Sequence, residues 1–188
     1  SQASIAYGVF YQNPERRYLP SPNPLDFMKA THYILQYQKV LNQQSLRLEA
    51  FYKKYKGLVK TGVTGFTEAA ISNAGFGDAK GVELFWRDKK TFKNFDYWIS
   101  YSFLDTKRDF LNFPYAITPN FAAKHTASLV AKKFVQPWKL NLNAAYNFAS
   151  GRPYYNIRLD GSQYKFTDRG TVPSYHNVSF AINYLPFI

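Results

Sequence analysis

Apolar and polar residues alternate with a period of two in eight segments of the chain, which predicts β-strands that each have one apolar face. In WKLNLNAAYNF (138–148), Trp138, Leu140 and Leu142 fall on one face, whereas Lys139 and Asn141 fall on the other. The eight predicted strands cover about 5–11, 31–40, 45–55, 82–87, 95–103, 126–132, 138–148 and 177–184. All ten prolines lie outside these segments, as expected because proline cannot donate a ladder hydrogen bond. The pattern predicts an all-β chain.

Long and short connections alternate along these strands. The long ones are predicted at about 12–29, 59–79, 107–123 and 151–173, and the short ones are LNQQ, KKTFKN and QPW. Strict alternation places long loops at one end of an antiparallel meander and short turns at the other, as in bacterial outer-membrane barrels, whose extracellular loops are long. Strands of about 9–11 residues also match a tilted crossing of the hydrocarbon. The sequence therefore predicts an antiparallel transmembrane β-barrel.

Aromatic side chains gather near the ends of the apolar strand faces. Such rings form the interfacial girdles of membrane barrels, and the residues predicted for this role are Trp86, Phe95, Phe103, Trp138, Phe148 and Tyr184, with Tyr11 and Tyr52 at further strand ends. The opposite faces are then predicted to line a wet lumen, and they carry Arg47, Glu49, Lys53, Glu83, Arg87 and Lys139. A soluble β-barrel or sandwich, with the apolar faces turned inward, is the alternative.

Composition further restricts the protein classes and the partners that the sequence allows. The 188 residues contain no run of about 18 apolar residues, which excludes a transmembrane helix. Cysteine is absent, so neither a disulfide nor a thiolate metal site is expected. The net charge of +12 is spread along the chain rather than concentrated in one stripe. Outer-membrane lipid, lipopolysaccharide phosphates or an acidic ligand are therefore expected as partners, and nucleic acid is not.

The chemistry-bearing residues form no recognisable catalytic or metal-binding motif. His32, His125 and His176 each stand near the start of a different strand, without the paired spacing of metal ligands. Nothing in the spacing of Asp105, Asp109 and Asp160 selects them as partners of a catalytic histidine or serine. The Gly-rich stretch GVTGFTEAAISNAGFG lacks the GK[ST] ending of a phosphate loop. We expect no enzyme activity, no metal site and no cofactor.

The last long connection is the candidate ligand site. It carries Arg and Tyr residues, which together suit recognition of peptides, sugars or anionic groups by charge-assisted hydrogen bonds and ring stacking. The predicted ligand-binding residues are Arg152, Tyr154, Tyr155, Arg158 and Arg169. The alternative is that these side chains pack loop against loop and bind lipopolysaccharide phosphates. The aromatic stretch FLNFPYAITPNF (110–121) is predicted to be a packed loop core rather than a stacking platform.

Several phrases in order resemble the TonB-dependent outer-membrane receptors of Bacteroidota, of the SusC-like type with a carboxypeptidase-like domain. They are THYILQYQKVLNQQSLRLEAFYKKYKGLV, GVELFWRDKKTFKNFDYWISYSFLDTKRDF, FAAKHTASLVAKK, NFASGRPYYN and SYHNVSFAINYL. The chain departs from the family pattern at Lys124, where an Arg usually precedes the histidine. The phrases cover nearly the whole chain, and their order and spacing are more specific than any one of them.

The resemblance implies that the chain supplies about eight strands from the C-terminal part of a 22-stranded barrel, without its plug domain and first strands. It also implies import of a nutrient across the outer membrane, powered by TonB through the missing N-terminal region. A surface lipoprotein or a larger outer-membrane complex is a further possible partner. Two alternatives remain open: a non-transporting structural or assembly subunit of an outer-membrane complex, and a self-contained eight-stranded barrel in which strand eight pairs with strand one.

Overall fold

The computed structural model of the protein describes residues 1–18, 24–61, 71–161 and 163–186, and it contains ten β-strands within those ranges. They are β1 (Gln2–Gln12), β2 (Met28–Leu41), β3 (Gln44–Lys60), β4 (Ser72–Asp88), β5 (Phe95–Asp109), β6 (His125–Val135), β7 (Leu140–Ala149), β8 (Pro153–Asp160), β9 (Gln163–Thr171) and β10 (Tyr175–Tyr184). Single 3-10 turns cover Arg16–Tyr18 and Gln136–Trp138. In these ranges, no helix is long and apolar enough to cross a membrane.

Eight strands form one antiparallel sheet in the order β1-β2-β3-β4-β5-β6-β7-β10, while β8 and β9 pair separately as a hairpin. Chain neighbours therefore lie side by side, and β10 reaches β7 only after the hairpin has been inserted. Strands β1 and β10 occupy opposite edges of the sheet. The alternative of a closed eight-stranded barrel, in which these two strands pair, is wrong.

The connections within the sheet fall at two distinct ends. Residues 42–43, 89–94 and 136–139 link β2 to β3, β4 to β5 and β6 to β7, and we call their side the short-turn end. Each of these turns contains a non-glycine residue in the left-handed region, namely Gln43 (φ 66°), Asn94 (φ 56°) and Lys139 (φ 51°). The other connections lie at the opposite side, the long-loop end. Positive φ values let the chain reverse within a few residues, although they strain residues that have a Cβ.

Most strands are longer than the alternation predicted, and the largest extensions are in β3, β4 and β5. Strand β3 continues to Lys60, β4 begins at Ser72 and β5 continues to Asp109, so parts of the predicted loops 59–79 and 107–123 are strand. Strand β2 likewise begins inside the predicted loop 12–29, and the predicted loop 151–173 contains the strands β8 and β9. Here glycines and lysines interrupt the apolar alternation while the backbone ladder continues, with irregular register around Leu58. Gly57 has a φ of +68°, which suits a strand that bends at a bulge. Strand β7 begins two residues after Trp138, which lies in the preceding 3-10 turn.

The outward face of the sheet is a band of exposed apolar side chains. Ile5 is 85% exposed, Phe180 is 78% exposed and Ile182 is 69% exposed. The register aligns these side chains in rows across the strands, one of which is Tyr37, Leu48, Leu84, Tyr101, Ala127 and Phe148. An exposed apolar surface of this extent needs an apolar environment. Since the opposite face carries Arg47, Glu83 and Arg87, the outward face is the one suited to lipid.

Buried apolar residues gather at the long-loop end. Tyr18, Val59 and Ile71 form a cluster, against which Leu25, Met28 and Leu111 pack. Burial raises the pKa of the Tyr18 hydroxyl, although the charge of Arg17 opposes this shift. The side chain of Asn73 ties this region together: its Nδ2 donates to the carbonyl oxygens of Asp26 (3.0 Å) and Gly57 (2.9 Å), and its Oδ1 accepts from the Asp26 N–H (2.8 Å).

Candidate functional site

The hairpin β8–β9 arises from a local sequence signal. Tyr155, Ile157 and Leu159 alternate with polar residues and run into Asp160-Gly161, where Gly161 takes a φ of +62°. Asp160 is the last paired residue of β8, so the turn begins at Gly161, and a glycine at the first position of a two-residue turn supplies the positive φ that the turn requires. The pairing shifts by one residue between Asn156 and Ile157, and at this bulge Thr167 Oγ1 donates to the Asn156 carbonyl at 3.1 Å.

An aromatic cluster joins this hairpin to the β5–β6 loop. Phe113 contacts Tyr155 with a centroid distance of 6.1 Å, and Tyr115 contacts Phe166 at 5.6 Å. Within the two partners, Phe110 meets Phe113 edge-on at 4.9 Å and Tyr155 meets Phe166 at 5.4 Å. Tilted and edge-on pairs of this kind each add roughly 0.5–1.5 kcal/mol beyond area burial. Edge-on ring contacts therefore pack the hairpin against the loop.

The β5–β6 loop is in turn fastened to the sheet. Arg108 and Ile117 exchange backbone hydrogen bonds of 2.8 and 3.1 Å, and the Leu111 N–H donates to the Val59 carbonyl at 2.7 Å. Lys60 forms an ion pair with Asp109 and donates to the Phe113 carbonyl at 2.8 Å. Ile117 and Pro119 of the loop itself are buried. The stretch 110–121 is thus packed against the sheet, although Tyr115 and Phe121 remain half exposed.

A polar cleft of about 500 Å³ lies between the loop and the hairpin. Side chains able to hydrogen-bond dominate its lining, which consists of Asn112, Phe113, Asn120, Tyr155, Asn156, Ile157, Arg158 and Thr167. Amide groups both donate and accept, and the Arg158 guanidinium offers several N–H donors with a permanent positive charge. This volume falls within the range of small-ligand sites. The arrangement suits a ligand that is rich in oxygen atoms and carries negative charge or hydroxyl groups.

The cleft brings together two of the five predicted ligand-binding residues. Tyr155 and Arg158 line it, whereas Arg152, Tyr154 and Arg169 are exposed elsewhere on the hairpin and its flank. Tyr154 lies over Gly170, where an added Cβ would meet its ring at 2.7 Å. Burial raises the pKa of Tyr155, and the neighbouring Tyr115 acts in the same direction while Arg169 opposes it. A ligand contact by any of the five residues remains a prediction.

The asparagines of the cleft were missed by sequence reasoning. Asn112 and Asn120 belong to the stretch 110–121, which the sequence predicts to be a packed loop core, and Asn156 is not among the predicted ligand-binding residues. The glycine at 161 was the available signal, because a hairpin that turns there pairs Asn156 with Asp168 and brings Thr167 within hydrogen-bonding distance of the Asn156 carbonyl. Which loop the hairpin would face is a tertiary contact that alternation does not encode.

The inward face of the sheet carries a second set of polar groups. Near the short-turn end, Arg87 binds Asp96 through two hydrogen bonds of 3.0 and 2.7 Å, and Trp98 lies 5.3 Å from its guanidinium. Lys132 also lies over Trp98 at 5.2 Å. Midway along the strands, a shallow cavity of about 410 Å³ is lined by Arg47, Glu83, Phe85, Ser100, Ser128 and Asn147, among others. This face is a charged and hydroxyl-rich wall, as a wet lumen requires.

Two histidines share one arrangement on the outward face. The hydroxyl of Tyr101 hydrogen-bonds Nδ1 of His125 at 2.8 Å, and that of Tyr146 hydrogen-bonds Nδ1 of His176 at 2.8 Å. Each imidazole also packs on a phenylalanine directly across the ladder, Phe103 at 5.4 Å and Phe148 at 5.2 Å. His32 instead faces inward and packs on Phe10 at 4.7 Å. Among the described residues, no group of three or more His, Asp or Glu side chains is placed to hold a metal ion.

The predicted interfacial aromatics lie on the outward side. Trp86 and Phe95 point outward near the short-turn end of the sheet, and Phe103 and Phe148 lie towards the long-loop end. Tyr184 and Trp138 are 65% and 68% exposed, the latter in the turn before β7. Their role at a lipid interface remains a prediction.

Comparison with known proteins gives the family. The family described as "TonB dependent receptor-like, beta-barrel" matches residues 4–186. No curated protein matches the chain. Among solved structures, the ferric yersiniabactin uptake receptor FyuA from Yersinia pestis aligns over 97% of this chain with a TM-score of 0.63 and 18% identity. The pyoverdine outer membrane receptor FpvA from Pseudomonas aeruginosa PAO1, bound to pyoverdine, aligns over 97% with a TM-score of 0.72 and 12% identity.

The chain spans 27% of the length of each of these two receptors. At such identities the structural likeness concerns the fold alone, and it agrees with the open antiparallel meander described above. Together with the family match, it confirms the predicted all-β antiparallel barrel class and the predicted outer-membrane location. TonB-dependent receptors are transporters rather than enzymes. The chain therefore belongs to the TonB-dependent receptor family, as part of the β-barrel that these receptors place in the bacterial outer membrane.

Proposed function

We propose that the chain supplies part of the lumen wall and of the mouth of a transporter that imports a scarce nutrient across the outer membrane in a TonB-dependent manner. The observation that carries this proposal is the polar cleft of about 500 Å³ at the long-loop end, between the β5–β6 loop and the β8–β9 hairpin. In the predicted orientation this end faces the cell exterior, where a substrate first meets the receptor.

The lining of the cleft indicates the class of substrate. Arg158 supplies a fixed positive charge, and Asn112, Asn120 and Asn156 supply both donors and acceptors. Oxygen-rich molecules such as iron chelates, oligosaccharides or peptides offer matching groups. The two solved receptors named above are described as receptors for ferric yersiniabactin and pyoverdine, which supports the siderophore-type class among these.

We also infer a SusC-like receptor of Bacteroidota, with a surface lipoprotein as partner. The support is the ordered set of phrases, from THYILQYQKV to SYHNVSFAINYL, spread over nearly the whole chain. This finer assignment predicts a carboxypeptidase-like domain ahead of the plug in the complete gene and a lipoprotein that co-purifies with the receptor. Sequencing of the complete reading frame and purification of the tagged receptor in mild detergent test both points.

The transport proposal is tested with the receptor expressed from its complete gene in a host that lacks it. Uptake of iron-55 from a panel of ferric chelates, and of labelled oligosaccharides, is measured with and without TonB. We expect uptake of at least one probe that requires both the receptor and TonB. Arg158→Gln should weaken its apparent affinity about tenfold or more, because a charge-assisted hydrogen bond contributes roughly 1.5–3 kcal/mol.

Lys107→Gln is the matched control. Lys107 is also an exposed basic residue, but it lies on the outward face of β5 and does not line the cleft, so its replacement should leave uptake near the wild-type value. Equal losses in both variants would point to general surface charge instead of the cleft. If no probe enters by a TonB-dependent route while the receptor remains bound to a larger outer-membrane complex, the alternative of a non-transporting scaffold is favoured.

A further inference from the structure

Arg108 occupies an unusual position on the inward face of β5. It lies near the long-loop end, opposite Gly77 of β4, and its backbone pairs with Ile117 of the β5–β6 loop. The guanidinium carbon lies 4.4 Å from the ring centroid of Tyr55 and 5.2 Å from that of Phe121. Two aromatic rings from separate elements, β3 and the loop, therefore contact the same cation.

Small residues on β4 make room for this arrangement. Gly77, Ala79 and Gly81 alternate along its inward face between the larger side chains of β3 and β5. A Cβ at Gly77 would lie 2.8 Å from Arg108 Cγ, and one at Gly81 would lie 2.6 Å from the Phe51 ring. The neighbouring side chains can thus lie across β4 instead of projecting away from it. The site is built by the sequence of three strands.

The Nε–H group of Arg108 has no hydrogen-bond acceptor in the described part of the chain. Its Nε is buried and has no hydrogen-bond partner, and among the described residues no carboxylate forms an ion pair with it. Cation–π contacts stabilise the charge, but ring faces cannot replace the acceptor that a buried N–H requires. An arginine in this state can bind an anion, which the described part of the fold does not supply.

Arg108 lines two cavities. One of about 260 Å³ is lined by Tyr18, Tyr55, Arg108 and Glu15 among others, and Glu15 is already paired with Arg17 at 2.9 Å. The other, of about 240 Å³, is lined by Phe51, Lys53, Tyr55, Glu83, Arg108 and Phe121 among others. Lys53 adds a second cation to this second cavity, while Glu83 is its acidic group. The space suits one acidic group of a ligand better than a whole ligand.

The second cavity and the polar cleft are both lined by the β5–β6 loop. Asn120 lines the cleft and the next residue, Phe121, lines the cavity beside Arg108. One short segment of this loop therefore contributes to both. We propose that Arg108, held by Tyr55 and Phe121, binds a carboxylate group of the incoming substrate, so that the receptor selects acidic substrates. This inference rests on the proposed transport function.

The test uses the receptor produced from its complete gene in detergent, with citrate as the probe and its uncharged trimethyl ester as the comparison. Isothermal titration at low ionic strength measures both affinities. The wild type should bind citrate at least about tenfold more tightly than the ester. Arg108→Gln should weaken citrate binding about tenfold or more, and Arg108→Lys should recover part of the loss, because lysine keeps the charge but not the two-pronged geometry.

Lys107→Gln is the matched control, since it removes the same charge from the adjacent, exposed residue on the other face of β5. It should leave citrate binding unchanged. Phe121→Leu keeps the guanidinium but removes one ring, and it should weaken citrate binding by a few fold. This variant tests the site even if Arg108→Gln does not fold. Circular dichroism and the melting temperature verify folding of every variant.

Unchanged citrate binding in Arg108→Gln, equal binding of citrate and its ester, or an equal loss in Lys107→Gln would each overturn the carboxylate site. These results leave TonB-dependent uptake as measured above untouched. Conversely, a wild-type receptor that imports none of the probes would contradict the proposed transport function. Citrate binding can still be measured in that case. The two failures are therefore distinguishable.

Discussion

The middle of the sheet and its long-loop end are stabilised in different ways. In the middle, side chains such as Ile99 and Leu129 stand on the outward face and remain exposed, so the backbone ladder and the surrounding lipid determine where they point. At the long-loop end, Val59 and Ile71 are buried against Tyr18, as in a water-soluble domain. Lipid surrounds the first region and a water-soluble type of packing stabilises the second, so the same substitution should have effects of different size in the two regions.

This difference in stabilisation between the two regions shows where substrate specificity can evolve. On the outward face, any apolar residue of suitable size is compatible with the lipid, and the backbone hydrogen bonds between strands maintain their register. At the long-loop end, loops are fixed by particular contacts such as those of Asn73 and of the Phe113–Tyr155 pair. Binding residues are placed by this second kind of packing, so the cleft can change without disturbing the membrane-spanning part.

The largest expected effect is a charge placed on the outward face. Ile99→Arg puts a guanidinium near the middle of the apolar band and should lower the free energy of unfolding of the receptor in lipid bilayers by about 2–4 kcal/mol. Denaturant titration in phospholipid vesicles measures this cost. Ile99→Ala is the control and should cost less, since no charge enters the lipid. A tolerated arginine at this position would break the assignment of the outward face to lipid.

A smaller and more local effect is expected in the buried cluster. Ile71→Ala removes a side chain that is 6% exposed and should destabilise the long-loop end by about 2–3 kcal/mol, towards the lower end for such truncations because a small cluster can partly collapse. Hydrogen exchange should then rise around Val59 and Leu111 but not in the middle of the sheet. Leu35→Ala, at an outward residue that is 55% exposed, is the matched truncation. Equal changes in exchange for both variants would remove the distinction between the regions.

The smallest expected effect depends on pH. Because burial raises the pKa of Tyr155, the folded hairpin holds this proton more tightly than the unfolded chain does. Its contribution to stability is fully present below pH about 10, the ordinary tyrosine value, and is lost as the pH rises through the raised pKa. Proteolysis of the hairpin at increasing pH measures the loosening. Tyr155→Phe keeps the ring in place and should abolish this component, and an unchanged pH profile in that variant would contradict the assignment.

Much of the sheet could be predicted because lipid imposes a simple rule on sequence. Alternation at Leu140 and Leu142, or at Val178 and Phe180, reports an apolar face directly. Where the strands extend beyond the apolar band, that rule no longer applies. Gly75, Gly77 and Lys80 belong to β4 although they read as loop, because in water the ladder tolerates any residue that fits its neighbours.

The candidate site was harder to predict for a related reason. Tyr155 and Arg158 were found from their residue types, but Asn112 and Asn120 reach the cleft only because the β5–β6 loop folds back onto β5 through Ile117. Arg108 had no signal of its own, since an arginine near a strand end is ordinary in sequence. Its setting depends on Tyr55 and Phe121, which lie 53 residues before and 13 residues after it in the numbering.

The two Tyr–His pairs show that the wall is modular. Tyr101 with His125 and Tyr146 with His176 reproduce the same hydrogen bond and the same phenylalanine contact one hairpin apart. Neighbouring strands alternate in chain direction, so adding or removing a pair of strands leaves the direction and the side-chain facing of all other strands unchanged. A pair is therefore the smallest unit that can be copied or deleted while the apolar face stays outward. Duplication of such units provides a route by which barrels of this kind can gain or lose circumference during evolution.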